Sequence, residues 1–225
     1  MPSLSTLSAD IMAVGALGTA AFGLVDALKA LPGGGISRAG FKFIRRVIVQ
    51  LAPLDPALES GGLSRSSLLF ALTSQWIDGT DSGDQLNIAK SLIKLRLVPS
   101  TAAVLATATG VDPTILGEVA ACIASGAAMS PQQSDVYGRF DLMLTTLLDQ
   151  AYQRADQRYR NVSKIAAVPV AVLLALIACW VLPPGTITWG QAALLGLIAT
   201  PIAPIAKDIS TAINTSAQAI QTMKS

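Results

Sequence analysis

The chain has 225 residues, 52% of them hydrophobic and 13% charged, where soluble domains carry about 25% charged residues. A net charge of +2 is too small to argue for a nucleic-acid partner, and the absence of histidine removes the commonest metal ligand and the commonest general base near neutral pH. Cys122 and Cys179 lie far apart in apolar runs, so neither a disulfide framework nor a cofactor site is expected.

The first predicted element follows a short stretch, 1–10, that is expected outside the membrane. It is "IMAVGALGTAAFGLVDALKAL", residues 11–31, long enough to cross a bilayer whose hydrocarbon needs about 20 apolar residues as helix. Asp26 and Lys29 sit near its end, where they can pair at i,i+3 or reach the interface. Gly15, Gly18, Thr19 and Gly23 offer a small-residue packing surface, with Thr19 and Gly23 at i,i+4. No Lys or Arg precedes the run, so it does not read as a secretory signal.

Residues 32–164 read as a helical cytoplasmic domain. Pro32 and Gly33 to Gly35 break the first helix. From Ile36 to Leu51 a helical wheel puts Ile36, Phe41, Phe43, Ile44, Val47, Ile48 and Leu51 on one side. Arg38, Lys42, Arg45 and Arg46 take the other. Such a basic amphipathic helix either lies on the membrane with its cations at lipid headgroups or packs in the domain with a solvated basic face, and both readings stand. Pro53 and Pro56 close it. Helical spacing continues over 64–77 (Leu68, Leu69, Leu72, Trp76, Ile77) and 82–97 (Ile88, Leu92, Leu95). Ser100 is the expected cap of a helix stopped by Gly110, and Asp112 with Pro113 opens another that ends at Gly126.

Ser130 and Pro131 open the last cytoplasmic helix, whose apolar stripe is Phe140, Leu144, Leu147, Leu148, Ala151 and Ala155. No Gly or Pro intervenes from Arg139 to Val168, so this helix is expected to enter the bilayer without stopping, about 78 Å long if it reaches Leu182. Arg154, Arg158, Arg160 and Lys164 stand just before the apolar run, at headgroup level, and Pro169 is expected to kink the helix beyond them.

Residues 165–206 predict a transmembrane hairpin: two uncharged runs joined by "PPG", with Trp180 and Trp189 flanking the turn where aromatic rings favour the interface. Pro201 and Pro204 remove backbone donors in the second arm, more simply as kinks than as an ion-site break. Residues 207–225 repeat Ile209, Ile213, Ala217 and Ile220 as an amphipathic cytoplasmic tail. The fold expected is therefore all-α, with three transmembrane helices. All 16 basic residues then lie on or beside one face, which places the amino terminus outside and the carboxyl terminus in the cytoplasm.

The segment "GRFDLMLTTLLDQAYQRADQRYRNVSKIAAVPVAVLLALIACW" resembles one in a group of uncharacterised bacterial membrane proteins, in which a Phe-Asp pair, a Tyr and basic residues precede a terminal transmembrane hairpin. Phe140, Asp141, Tyr152 and Arg154 match with the spacing off by one, and "SRSSLLFALTSQWID" is similar to another of its segments. The likeness covers about a quarter of the chain. It implies the hairpin and an amino-terminal first span and brings no function with it; the location expected for the chain is a bacterial inner membrane.

Chemical motifs are missing. The triple glycine lacks the Lys-Ser/Thr of a phosphate loop, no G-x-S-x-G is present, and "DGTDSGD" lacks the acid spacing of an EF-hand and reads as a turn with helix-capping acids. The polybasic groups lack the aromatic interleaving of single-strand binders. Two functions fit. One is a non-catalytic membrane scaffold that contacts the lipid bilayer and forms a homo-oligomer or docks a membrane-complex partner. The other is a subunit of an oligomeric channel or transporter.

Overall fold

The computed structural model describes residues 4–28, 35–59, 62–183 and 185–224. Among them the secondary structure is helical throughout: α1 (Leu4–Ala27), α2 (Ser37–Leu51), α3 (Pro56–Glu59), α4 (Arg65–Asp78), α5 (Ser82–Lys94), α6 (Pro99–Thr109), α7 (Pro113–Ser125), α8 (Pro131–Val181) and α9 (Trp189–Lys224). The chain divides into two units, Ser37–Tyr159 and Met1–Ile36 with Arg160–Ser225. The structure thus keeps the expected all-helical class and three helices long and apolar enough to cross a bilayer, in α1, α8 and α9.

In the 37–159 unit the core is made of large aliphatic and aromatic side chains: Ile44, Ile48, Leu51, Leu68, Leu72, Ile93, Leu105, Leu116, Phe140, Leu144 and Leu148 are sealed from solvent. The apolar face of α2 belongs to this core, each such side chain contributing about 1.5–3 kcal/mol. The apolar face of α2 therefore packs against helices, while Arg38, Lys42, Arg45 and Arg46 turn outward. Gly40 brings α2 onto α8, because a Cβ there would lie 2.5 Å from the Ala155 carbonyl oxygen and 2.8 Å from the Trp76 ring.

Helix ends follow the local chemistry. Asp112 accepts from the Thr114 and Ile115 amides at 2.8 and 3.0 Å, Asp81 from Gly83 at 2.8 Å, and Ser130 and Gln133 cap each other reciprocally at 3.2 and 2.8 Å. The acids of "DGTDSGD" therefore include a helix cap, as expected. Gly110 and Gly126 close α6 and α7 with φ of 70°.

Two local expectations give way. Ser100 does not cap α6, which begins one residue earlier at Pro99; its hydroxyl donates to Asp55 instead. On α5 the buried face is Gln85, Ala89 and Ile93, while Ile88 and Leu95 are exposed. The small Ala89 allows closer packing there, and the rotation turns Lys90 and Lys94 toward α8.

The other unit is built inside out relative to the first. Its interior is Ala21, Val25, Ala167, Ala171 and Ala199, with Ala192, Ala203 and Ala206 also buried. Large apolar side chains point away, among them Ile165 at 71% and Trp180 at 76% exposure, with Leu173, Ile177, Leu194 and Leu197 beside them. Water would expel such a surface and lipid accepts it, while small residues let backbones approach. The unit is that of an integral membrane protein.

Of the small residues expected to pack on α1, two do so. A Cβ on Gly18 would collide with the Ala199 carbonyl and lie 3.0 Å from the Ala203 Cβ, and one on Gly15 would collide with the Ala206 Cβ. Gly23 has open space, and Thr19 is exposed with its hydroxyl donated to the Gly15 carbonyl at 2.9 Å. Gly196 holds α9 against α8, 2.8 Å separating its ideal Cβ from the Val172 nitrogen. Residue numbers rise along α1 as they fall along α9, so the two helices are antiparallel. An amino terminus outside with a carboxyl terminus inside would need them parallel; that expectation does not survive the packing.

α8 is one helix from Pro131 to Val181, continuous up to Val168 as the absence of breakers there implied and carrying on past Pro169, where a kink was expected; the residues expected as a separate tail continue α9 as far as Lys224.

Candidate membrane-contact and charged sites

Arg38, Lys42, Arg45 and Arg46 are all exposed, on the side of α2 opposite Phe41, Ile44, Ile48 and Leu51. The side chain of Lys42 stands over the Phe43 ring at 5.3 Å, which leaves its ammonium outside the core. Arg154 and Arg158 are exposed on the stretch of α8 within the 37–159 unit, and Arg160 and Lys164 are exposed where α8 continues toward Ile165. The structure therefore shows two groups of outward cations, each described within its own unit. Asp26 is exposed near the end of α1, and Lys29, its expected partner, lies outside the described residues.

The three helix-interior prolines, Pro169, Pro201 and Pro204, are all exposed. A proline frees the carbonyl four residues earlier, which lies on the same side of the helix. For Pro201 and Pro204 those are Leu197 and Thr200. Thr200 itself is buried, and its hydroxyl has no hydrogen-bond partner.

The strongest electrostatics lie in residues that sequence reasoning did not single out for this purpose. Asp141 of α8 receives Lys90 at 2.7 Å and also Lys94, whose ammonium lies 5.4 Å from the Tyr137 ring centroid. Burial pushes the Asp141 carboxyl up, but hydrogen bonds from the two ammonium groups outweigh it and hold it below the ordinary value of 3.8. Burial likewise opposes the charge on Lys94, and the Asp141 bond more than offsets this, raising it above 10.5. Asp55 is lowered by the Ser100 hydroxyl and by the Ala57 amide at 2.8 Å. Burial pushes the Tyr152 phenol up, where its ring lies 6.5 Å from that of Trp76. The clue available was the Phe140–Asp141 pair, an acid placed next to a core aromatic; its lysine partners are about 50 residues away and invisible to spacing.

The signs set a pH window. Lowered carboxylates contribute stability that is complete above the unfolded value near 3.8 and is lost as pH falls through their folded values. The raised Lys94 contributes stability complete below 10.5 and lost as pH rises through its folded value. Melting temperature of the detergent-purified chain is expected to be flat between about pH 5 and 10 and to fall below and above that range. Asp141→Asn is expected to lower the plateau and blunt both slopes.

An apolar cleft of about 590 Å³ lies between α2, α6 and α8, lined by Val47, Leu51, Val104, Ala108 and Leu147 with Gln50 and Thr107 as polar neighbours. No titratable side chain lines it. Among the described residues no group of three or more His, Cys, Asp or Glu side chains is placed to hold a metal ion. No family model, curated protein or solved structure matches the chain.

Proposed function

We propose that this chain is a non-catalytic integral membrane protein of a bacterial inner membrane, and that it anchors or organises a complex through helix packing and self-association. The observation that carries this reading is the use to which the 37–159 unit puts its charged groups. Asp55, Asp141, Lys90 and Lys94 tie one helix or loop to another, a structural use of charge within that unit. The close glycine and alanine packing of α1 on α9 supports the part played by helix association. The outward cations Arg160 and Lys164 beside the apolar run of α8 are suited to anionic headgroups, and in this reading that end of the hairpin, with Lys207 of α9, faces the cytoplasm.

A second reading, as a subunit of an oligomeric channel or transporter, is favoured by the buried, unpartnered Thr200 hydroxyl beside the carbonyls that Pro201 and Pro204 free. Particle mass in mild detergent tests the first reading. A homo-oligomer, or a stoichiometric complex with a co-purified protein, is the expected result; a bare monomer from native membranes would overturn it. Ion flux in proteoliposomes that disappears in Thr200→Val would replace the first reading with the second.

A further inference from the structure

We infer that α1 is a splint for α9: it fills the side toward which Pro201 and Pro204 would bend that helix, and when α1 lifts off, α9 kinks there and the residues beyond Lys207 swing. The inference rests on the membrane reading above and adds a conformational device within the membrane unit.

The weak point is written into the sequence of α9. Prolines at 201 and 204 withdraw two backbone donors within one turn. The Leu197 and Thr200 carbonyls lose their partners, and in hydrocarbon no water replaces them. A Thr200 hydroxyl donated three residues back would satisfy Leu197, but it makes no hydrogen bond. Thr211 and Thr215, further along the same helix, each donate to the carbonyl four residues back at 2.9 Å. Even so, α9 is one helix from Trp189 to Lys224.

What keeps it whole lies on the other side. Each proline ring presses on the carbonyl four residues before it, which lengthens the proline side of the helix and bends the axis toward the opposite side. Pro201 and Pro204 are both exposed. At about 100° per residue, Ala199, Ala203 and Ala206 lie about 140–200° around the helix from Pro201. That is the side α1 occupies. Gly18 sits against the Ala199 carbonyl, and a Cβ on it would lie 3.0 Å from that of Ala203. A Cβ on Gly15 would lie 3.8 Å from the Ala203 Cα and 3.6 Å from that of Ala206. The two glycines thus meet α9 before Pro201, between the prolines and after Pro204, and leave no room for the axis to bend inward. α1 has no proline of its own between Leu4 and Ala27. The contacts that close the α8–α9 hairpin, Gly196 with Val172 and Cys179 with Ile187, both lie before Pro201 and so hold one side of the break. For an organiser of complexes the consequence is that an apolar partner helix that captures α1 also redirects residues 207–224.

Nitroxide labels at Asn161→Cys on α8 and Thr215→Cys on α9, both exposed positions, read the swing in a Cys122→Ala, Cys179→Ala background. The labelled chain is diluted with unlabelled chain in lipid nanodiscs, so the distance is within one molecule whatever its oligomeric state. Thr215 lies about 21 Å of helix beyond Pro201, so a kink above 20° moves it by about 7 Å or more. Gly18→Leu is expected to shift the distance by that much and to speed the release of α1 by trypsin. Adding Pro201→Ala and Pro204→Ala is expected to restore the parent distance with α1 still released, and those two changes alone to leave it unmoved. Gly15→Leu repeats the measurement should Gly18→Leu fail to insert. An unmoved distance with α1 released overturns the inference, since α9 is then straight unaided. So does a shift that survives the two alanines, a parent distance that moves when only the prolines are replaced, or a seam that carries leucine at both glycines without releasing α1. Each of these leaves the membrane reading standing. A chain that is monodisperse in buffer without detergent would instead overturn both.

Discussion

Gly18→Ala is expected to loosen α1 from α9 and to cost about 1–3 kcal/mol, the range for one overpacked site, with Gly18→Leu costing more. The single added methyl collides with the Ala199 carbonyl, a backbone atom in the middle of a 36-residue helix that cannot step aside as a flexible side chain can. Relief requires the helices to separate, and separation forfeits the dispersion contacts of every alanine along the seam at once. Gly15→Ala meets the Ala206 Cβ, which is fixed to its backbone and cannot rotate away, and is expected to cost a similar amount. Gly23→Ala, with nothing within 4 Å, is the control; it is expected to be neutral or slightly stabilising, since alanine is the better helix former by about 1 kcal/mol. Trypsin digestion of the detergent-solubilised chain reads the difference through the rate at which α1 is released. Equal rates for Gly18→Ala and Gly23→Ala would mean that the seam does not hold α1.

The contrast between the two cores explains what could and could not be foreseen. Large aliphatic residues at helical spacing mark a water-excluding core, so Leu68, Leu72, Phe140, Leu144 and Leu148 were legible, and so was the passage of α8 from charged to uncharged sequence without a breaker. The run lengths of the hairpin were legible for the same reason. Direction was not. The charge rule counts Lys and Arg beside each span, and α1 has none before it, which reads as an outside amino terminus. Packing of Gly15 on Ala206 and Gly18 on Ala199 carries the opposite information, and nothing in the local sequence of α1 encodes which helix those glycines will meet. For α2, wheel analysis separated the faces correctly and left open what covers the apolar one; only the tertiary contacts of Ile44, Ile48 and Gly40 decide that. The partners of buried polar groups were hidden altogether, because they are loop carbonyls and side chains about 30 to 50 residues away.

Arg96 is the sharpest case of such hidden partners, and Arg96→Met is expected to destabilise the 37–159 unit by about 3–5 kcal/mol, as for a buried charge pair that loses one member. The residue has no exposure to solvent. Its guanidinium donates to the Pro53 and Leu63 carbonyls and to Glu59 at 3.1 Å, and Glu59 in turn accepts the Arg65 amide at 3.1 Å. One planar cation thus gathers the segment between α2 and α4 against the end of α5, a job that suits a rigid fork of five donors. Methionine matches the volume but leaves two carbonyls without donors and a carboxylate without its cation. Arg96→Lys keeps the charge with a single ammonium that cannot reach acceptors on three sides, and is expected to recover less than half of the loss. Trp76 is the one tryptophan in this unit and packs on Tyr152 and Tyr159, so a urea titration followed by fluorescence in Trp180→Phe, Trp189→Phe background isolates the unit's own transition. If Arg96→Met shifts that transition by less than about 1 kcal/mol, the segment from Pro53 to Leu63 is held by its apolar neighbours and the buried cation is dispensable.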